Sequence, residues 1–317
     1  TLSSSSAASD VYKRQVHRNT PSQTINFPIF ERAGKLNLPL HKFFRNNSMA
    51  MKYEDFLVPT LGKGNVTSPL KQNRKPGSPV YKFVSDDERV LYDVSLESFN
   101  RYRGNDQTPI SFEKAGPKEK IFFEPAKTKV GIVTCGGLCP GLNNVIRSLF
   151  NQLYYRYGVS RIVGIRYGYE GLNCDYNHPV IELTPSMVSY IHLTGGTILG
   201  TSRGHQEVSK MVDTIEIMNL NILFCIGGDG TLRGAHAIHE EIKKRNLKIA
   251  VAGIPKTIDN DIDLIQKSFG FETAFSIAND VIRNAHNEAA GAYNGIALVK
   301  LMAVSYTHLT LPTKRIV

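Results

Sequence analysis

No stretch of the 317 residues approaches the roughly 18 consecutive apolar positions that a membrane-spanning helix requires, so no membrane association is expected. Cysteine is scarce. Four residues, at 135, 139, 174 and 225, make no disulfide scaffold, and their spacing forms no paired zinc knuckle. Reduced thiols in an intracellular compartment are the expectation, with the cytoplasm as default and organellar targeting left open. There is no internal repeat and no dense Lys/Arg run interleaved with aromatics. The net charge of +10 is spread out: residues 1–127 hold 20 basic against 13 acidic side chains, and residues 128–317 hold 18 against 15. A diffuse excess of this kind reads as a solvated face, so no nucleic-acid partner is expected. What is present is 41% hydrophobic and 21% charged residues, enough for a sizeable core, and this excludes a wholly disordered chain.

Both ends read as foreign to the fold. Residues 1–15 (TLSSSSAASDVYKRQ) and 303–317 follow no pattern of their neighbours and resemble translated adaptor sequence, so both are set aside. Residues 16–48 are rich in Asn, Ser, Pro and basic residues, with Glu31 the only acid. A transit segment is one reading. An upstream untranslated region read in frame, with the start at Met49 or Met51, is favoured. Residues 49–127 contain Pro59, Pro69, Pro76, Pro79, Pro109 and Pro117 and short strand-like pieces at 80–84 and 120–123, which predicts an irregular extension packed on a core.

From 128 to 302 the pattern changes. A short apolar run at 130–134 ends in Gly136-Gly137-Leu138-Cys139-Pro140-Gly141. Leu142, Val145, Ile146, Leu149, Phe150 and Leu153 then stripe one helix face. The cycle repeats. Strands are expected at 161–165, 221–226, 248–254 and 296–301. Helices are expected over 208–218, about 233–245 and about 272–288. Continuous apolar strands alternating with amphipathic helices predict a doubly wound, mostly parallel α/β sheet, whose ligands gather at the carboxyl ends of the strands.

Four loops fall at those ends. The turn 136–141 can bring backbone amides to an anion at a helix N-terminus, although such a turn can also be no more than tight geometry. In Gly227-Gly228-Asp229-Gly230-Thr231, an acid among bare glycines can reach a metal on a polyphosphate. In 255–261 (PKTIDND), Asp259 and Asp261 stand beside Lys256 and Thr257, a set suited to taking a proton from a hydroxyl. In 199–204 (LGTSRG), Arg203 can place a planar charged fork on a phosphate. The histidines at 192, 205, 236 and 239 make no metal spacing and read as surface or satisfied groups, and Cys135 and Cys139 read as small buried thiols.

Together these loops resemble the 6-phosphofructokinases, in the long form of plants, protists and some bacteria. The resembling segments are 134–147 (TCGGLCPGLNNVIR), 168–172 (GYEGL), 195–204 (GGTILGTSRG), 226–235 (IGGDGTLRGA), 253–262 (GIPKTIDNDI), 268–274 (SFGFETA) and 299–302 (VKLM). The resemblance implies the Rossmann-like phosphofructokinase fold and transfer of a phosphoryl group from ATP to the 1-hydroxyl of fructose 6-phosphate. It implies that Gly136, Arg203, Gly204, Lys256 and the loop Gly228, Asp229, Gly230, Thr231 bind the donor, with Asp229 acting through Mg²⁺. Asp259 would take the hydroxyl proton, Arg203 would stabilise the transferring group, Thr257, Asp259 and Met302 would hold the sugar phosphate, and Asp261 would support the arrangement. Pyrophosphate-using relatives carry Asp at the position of Gly230, so Gly230 favours ATP, while Lys256 occurs in both kinds. After Met302 the family continues with Gly-Arg and a second lobe, whereas this chain has Ala303-Val304. The 317 residues are therefore expected to be a first lobe only, weak in nucleotide binding and poor in turnover alone, with the intact protein a homo-oligomer. Other readings stay open: a pyrophosphate-dependent phosphofructokinase, a different kinase sharing only the Gly-Gly-Asp-Gly-Thr loop, and a catalytically dead nucleotide-binding subunit.

Overall fold

The computed structural model describes residues 53–72, 82–105, 107–262 and 264–301. The calls on 1–48, on Met302 and on 303–317 lie outside these residues. The described residues from Phe56 onward belong to one compact unit.

Its first part is built of short antiparallel ribbons. Strands β1 (Val66–Thr67) and β4 (Lys120–Ile121) pair, as do β2 (Arg89–Leu91) and β3 (Ser111–Glu113). Helix α1 (Leu96–Gly104) lies between β2 and β3 in sequence, and the Ser95 hydroxyl caps it by accepting from the Ser98 amide. Phe112 meets Phe56 edge-on with ring centroids 5.1 Å apart. The strand expected at 120–123 is present in part as β4. Residues 82–84 of the strand expected at 80–84 carry none, and 80 and 81 are outside the described residues.

The second part is the expected α/β sheet. Its five strands run in the order β7-β6-β5-β8-β9, with β5 (Lys129–Thr134) at the centre, β6 (Arg161–Ile165) and β7 (Ile181–Glu182) on one side, and β8 (Ile222–Gly227) and β9 (Ala250–Pro255) on the other. All pairings are parallel except β6 with β7. The strand period of two sorts the side chains. Val130, Ile132, Ile162 and Ile226 face one way and pack with Leu142, Ile146 and Phe150 of helix α2 (Leu142–Asn151). Val133, Ile165, Leu223 and Cys225 face the other way. They pack with Met211, Val212 and Ile215 of α4 (Val208–Ile217) and with Ile238 and Ile242 of α5 (Asp229–Lys244). Helices thus cover both faces. A four-residue helix, α3 (Pro185–Val188), and α6 (Phe271–Gly291) complete the set.

Two expectations need correction, and one strand was not foreseen. Helix α5 begins at Asp229, not near Arg233, because Asp229 and the turn after Gly228 already serve as its first turn, where an acid complements the helix dipole. Edge strand β7 was not anticipated, since two residues are too few to show a period. The strand expected at 296–301 does not form. No described strand pairs with the segment, so its peptide groups and its apolar side chains stay in solvent, with Ile296 at 94% and Leu298 at 95% exposure.

Candidate functional site

The parallel strands β5, β8 and β9 all end on the same edge of the sheet, and three of the four glycine-rich or charged loops leave from there. Backbone bonds lock them together. The Cys135 amide donates to the Ile226 carbonyl at 2.9 Å, and the Lys256 amide donates to the Gly227 carbonyl at 2.9 Å. The fourth loop joins from the side. The Gly136 amide donates to the Ser202 carbonyl at 3.0 Å, and the Thr201 hydroxyl donates to the Gly136 carbonyl at 2.7 Å. The loop before Thr201 is held by buried Asn143 of α2, whose side-chain amide donates to Thr194 O and accepts from the Ile198 amide.

The four loops surround a cavity of about 580 Å³, and among the residues lining it are Gly136, Arg203, Gly204, Gly228, Gly230, Thr231 and Lys256. Gly228, Gly230 and Thr231 form the N-cap and first turn of the 16-residue helix α5, where unpaired amides and the helix dipole attract anions. Arg203, Arg233 and Lys256 bring cationic side chains to the same cavity. Buried Lys256 donates from Nζ to the Gly137 carbonyl at 2.6 Å. The Arg203 guanidinium stands so near that a methyl group on Gly137 would lie 3.2 Å from its Nη2. Burial first, and the Arg203 charge after it, hold Lys256 below the usual lysine range. An anion entering between these groups would offset that cost.

The carboxylate loop lies beyond Lys256. Thr257, itself buried, donates its hydroxyl to Asp261 Oδ1 at 2.5 Å and accepts from the Asp259 amide at 3.1 Å. Asn260 sits in the left-handed region at φ 53°. It brackets the turn by accepting from the Ser268 amide at 2.7 Å and donating to Gln266 O at 3.0 Å. The Ser268 hydroxyl bonds to the Thr257 carbonyl, and the Cys139 thiol to Phe269 O at 3.2 Å. The turn at 266–270 thereby braces both the Asp259 loop and the first glycine loop.

Asp229 opens α5. Its carboxylate is 70% exposed and stands 3.9 Å from Arg233 on the next turn of α5, while its neighbours Gly228 and Gly230 line the cavity. Among the described residues no group of three or more His, Cys, Asp or Glu side chains could hold a metal. One carboxylate next to a cavity lined by helix N-terminal residues and cations fits Mg²⁺, because that ion is commonly held by one or two carboxylates together with substrate phosphates and water. Met302 lies outside the described residues. His205 and His236 are exposed as expected, but buried Nε2 of His239 has no hydrogen-bond partner among the described residues.

The sequence reading missed Tyr169. It is buried at the cavity wall and donates its hydroxyl to Thr231 O at 2.7 Å, which fixes the first turn of α5. The legible signal was Gly234 inside an otherwise regular helix: a Cβ there would stand 2.5 Å from the Tyr169 ring.

The phosphofructokinase family model matches residues 129–313. The chain is 49% identical over 249 residues to the ATP-dependent 6-phosphofructokinase of Borreliella burgdorferi, covering 78% of this chain and 55% of that protein. It is 56% identical over 190 residues to that of Entamoeba histolytica, covering 60% and 43%. It is 53% identical over 237 residues to ATP-dependent 6-phosphofructokinase 7 of Arabidopsis thaliana, covering 74% and 47%. The chain spans about half the length of the curated relatives it matches. With the match covering the whole sheet and all four of the loops that meet at its carboxyl edge, the chain belongs to the phosphofructokinase family.

Proposed function

We propose that this chain carries the phosphoryl-donor half of an ATP-dependent 6-phosphofructokinase, which makes fructose 1,6-bisphosphate and ADP from fructose 6-phosphate and ATP. The observation that carries the reading is the convergence of Arg203, Lys256 and the N-terminus of α5 on one cavity, with the Asp259 loop joined to it through Lys256. The names of the relatives support ATP as the donor, and so does Gly230, around whose Cβ position there is nothing within 4 Å.

In this reading the amides of Gly228, Gly230 and Thr231 and the Gly136 turn hold the phosphates of ATP. Arg203, with Gly204 beside it, is free to follow the γ-phosphoryl group, and its charge counters what builds up on that group during transfer. Asp259 accepts the proton of the sugar 1-hydroxyl, and Thr257 orients the sugar while Asp261 fixes the Thr257 hydroxyl. Met302 adds a contact to the sugar phosphate. Mg²⁺, held by Asp229 and the phosphates, supplies charge neutralisation. The rate gain comes from positioning and electrostatics, with no covalent intermediate on the protein. The protein works as a cytoplasmic homo-oligomer.

The test is calorimetric. The chain should bind Mg·ATP more tightly than Mg·pyrophosphate, and Gly230→Asp should weaken ATP selectively, because its carboxylate has room in the fold but repels the α-phosphate. In the gene's full product, fructose 6-phosphate-dependent ADP release should fall about 10³-fold or more on Arg203→Ala, by analogy with arginine fingers, and should be lost on Asp259→Asn. Equal or tighter binding of pyrophosphate would favour the pyrophosphate-dependent alternative. Turnover that survives both substitutions would overturn the roles given to Arg203 and Asp259, and no turnover in the unaltered full product would favour the catalytically dead subunit.

A further inference from the structure

The cavity is lined by more than glycines and cations. Val208 and Met211 of α4 and Ala237 of α5 line it with apolar groups, and Gln206 is the amide side chain among them. Gln206 is 9% exposed and its neighbour Asn173 is 7% exposed. A buried amide in an apolar wall is costly unless its groups are bonded, so each of its atoms can be accounted for.

The accounting starts from a backbone donor. The Asp175 amide donates to Asn173 Oδ1 at 3.1 Å, and an N–H can do nothing else, so the other Asn173 terminus is the donor Nδ2. That Nδ2 lies 3.0 Å from the Gln206 side chain, which must therefore present its oxygen Oε1 to it. The orientation of both amides follows from one peptide group. What remains is Gln206 Nε2, which makes no hydrogen bond with any described residue and belongs to a side chain lining the cavity. The Asn173 turn is itself anchored: Asp175 pairs with Lys210 of α4 at 2.6 Å.

We infer that Gln206 is a specificity-determining residue of the donor pocket: its Nε2 donates to an acceptor on the base of the nucleotide, while Val208, Met211 and Ala237 take the ring. This rests on the reading of the cavity as a nucleotide site. A fixed donor among apolar groups rewards a base and gives nothing to an inorganic polyphosphate, which engages only the cationic groups.

Calorimetry with ATP and inorganic tripolyphosphate, on the chain and on its Gln206→Met and Asn173→Asp variants, tests it. Gln206→Met keeps the length and removes the donor. Asn173→Asp places an oxygen opposite Gln206 and turns the amide, so that its oxygen faces the cavity. Both should weaken ATP about tenfold, the worth of one hydrogen bond, and leave tripolyphosphate within twofold. Should neither variant fold, the unaltered chain titrated with 1-, 3- and 7-deaza-ATP should bind one of the three about tenfold more weakly than ATP. Loss of ATP and tripolyphosphate alike, no loss of either, or three deaza analogues equal to ATP would overturn the inference while the nucleotide site stands. Failure of the unaltered chain to bind ATP or tripolyphosphate would bring down the nucleotide site and the inference with it.

Discussion

Cys225 shows how a single buried group sets a measurable property. It lies in the middle of β8 with no exposure, and burial pushes its thiol up to about 12 from 9.0. Cys135, two residues beyond Val133, the β5 partner of Cys225, is raised as well, first by burial and then by Cys225. A thiol that is neutral only while protonated is favoured by the fold, so its contribution is intact below about pH 9 and is lost as pH climbs toward 12. The loss is about 1.4 kcal/mol per pH unit for each such thiol. Urea unfolding should therefore show stability declining steeply above about pH 9, and less steeply in Cys225→Val. The same burial predicts that a thiol reagent labels exposed Cys174 in the native state and spares Cys135, Cys139 and Cys225 until unfolding. A flat stability profile to pH 11, or rapid labelling of four thiols, would contradict this.

Helix α5 is the element on which the site depends most. Its first turn supplies amides to the cavity, its inner face fills the core with Ala235, Ile238 and Ile242, and its end is tied to α4. That tie is Arg245, which bonds Asp213 at 2.6 Å, Glu216 at 2.9 Å and Glu241 at 2.8 Å. Gly234 is the cost of admitting Tyr169. In Gly234→Ala two effects compete. Helix propensity should gain up to about 1 kcal/mol, while overpacking against the ring should cost about 1–3 kcal/mol. The clash at 2.5 Å is with a ring that is buried and hydrogen-bonded, so overpacking wins. The expected result is a lower Tm and weaker ATP binding, because Thr231 loses its brace. A variant as stable as the parent and with unchanged affinity would show that Tyr169 can move aside freely.

At the scale of the whole chain, charge and apolar exposure point to different behaviour. The +10 net charge is spread along the chain and opposes self-association by mutual repulsion. Yet Phe275, Ile277 and Val281 of α6 and Tyr293, Ile296 and Leu298 after it are exposed. A cluster of large apolar side chains on one stretch of chain drives association. Sedimentation velocity should show the chain self-associating as its concentration rises, and Ile296→Asp with Leu298→Asp should suppress this without changing ATP affinity. A species that stays monomeric at all concentrations would mean that these side chains are too scattered to form a patch.

The strands, the alternation of helices and the four loops were legible in the residues because each has a local cause. Apolar runs of five or six residues make buried parallel strands, the 3.6-residue stripe of α2 and α4 marks the buried face, and glycines mark where backbone must approach closely. That Arg203, Lys256, Thr257, Asp259 and Asp261 are charged or polar residues at loop positions needed no coordinates. What needed them was every feature that depends on residues far apart in the chain. The Lys256–Gly137 and Cys139–Phe269 bonds, the Tyr169 brace and the Asn173–Gln206 pair each join segments that no window of sequence contains. The missing strand at 296–301 makes the same point in reverse: its residues suit a strand, but a strand exists only where a neighbour takes up its peptide groups.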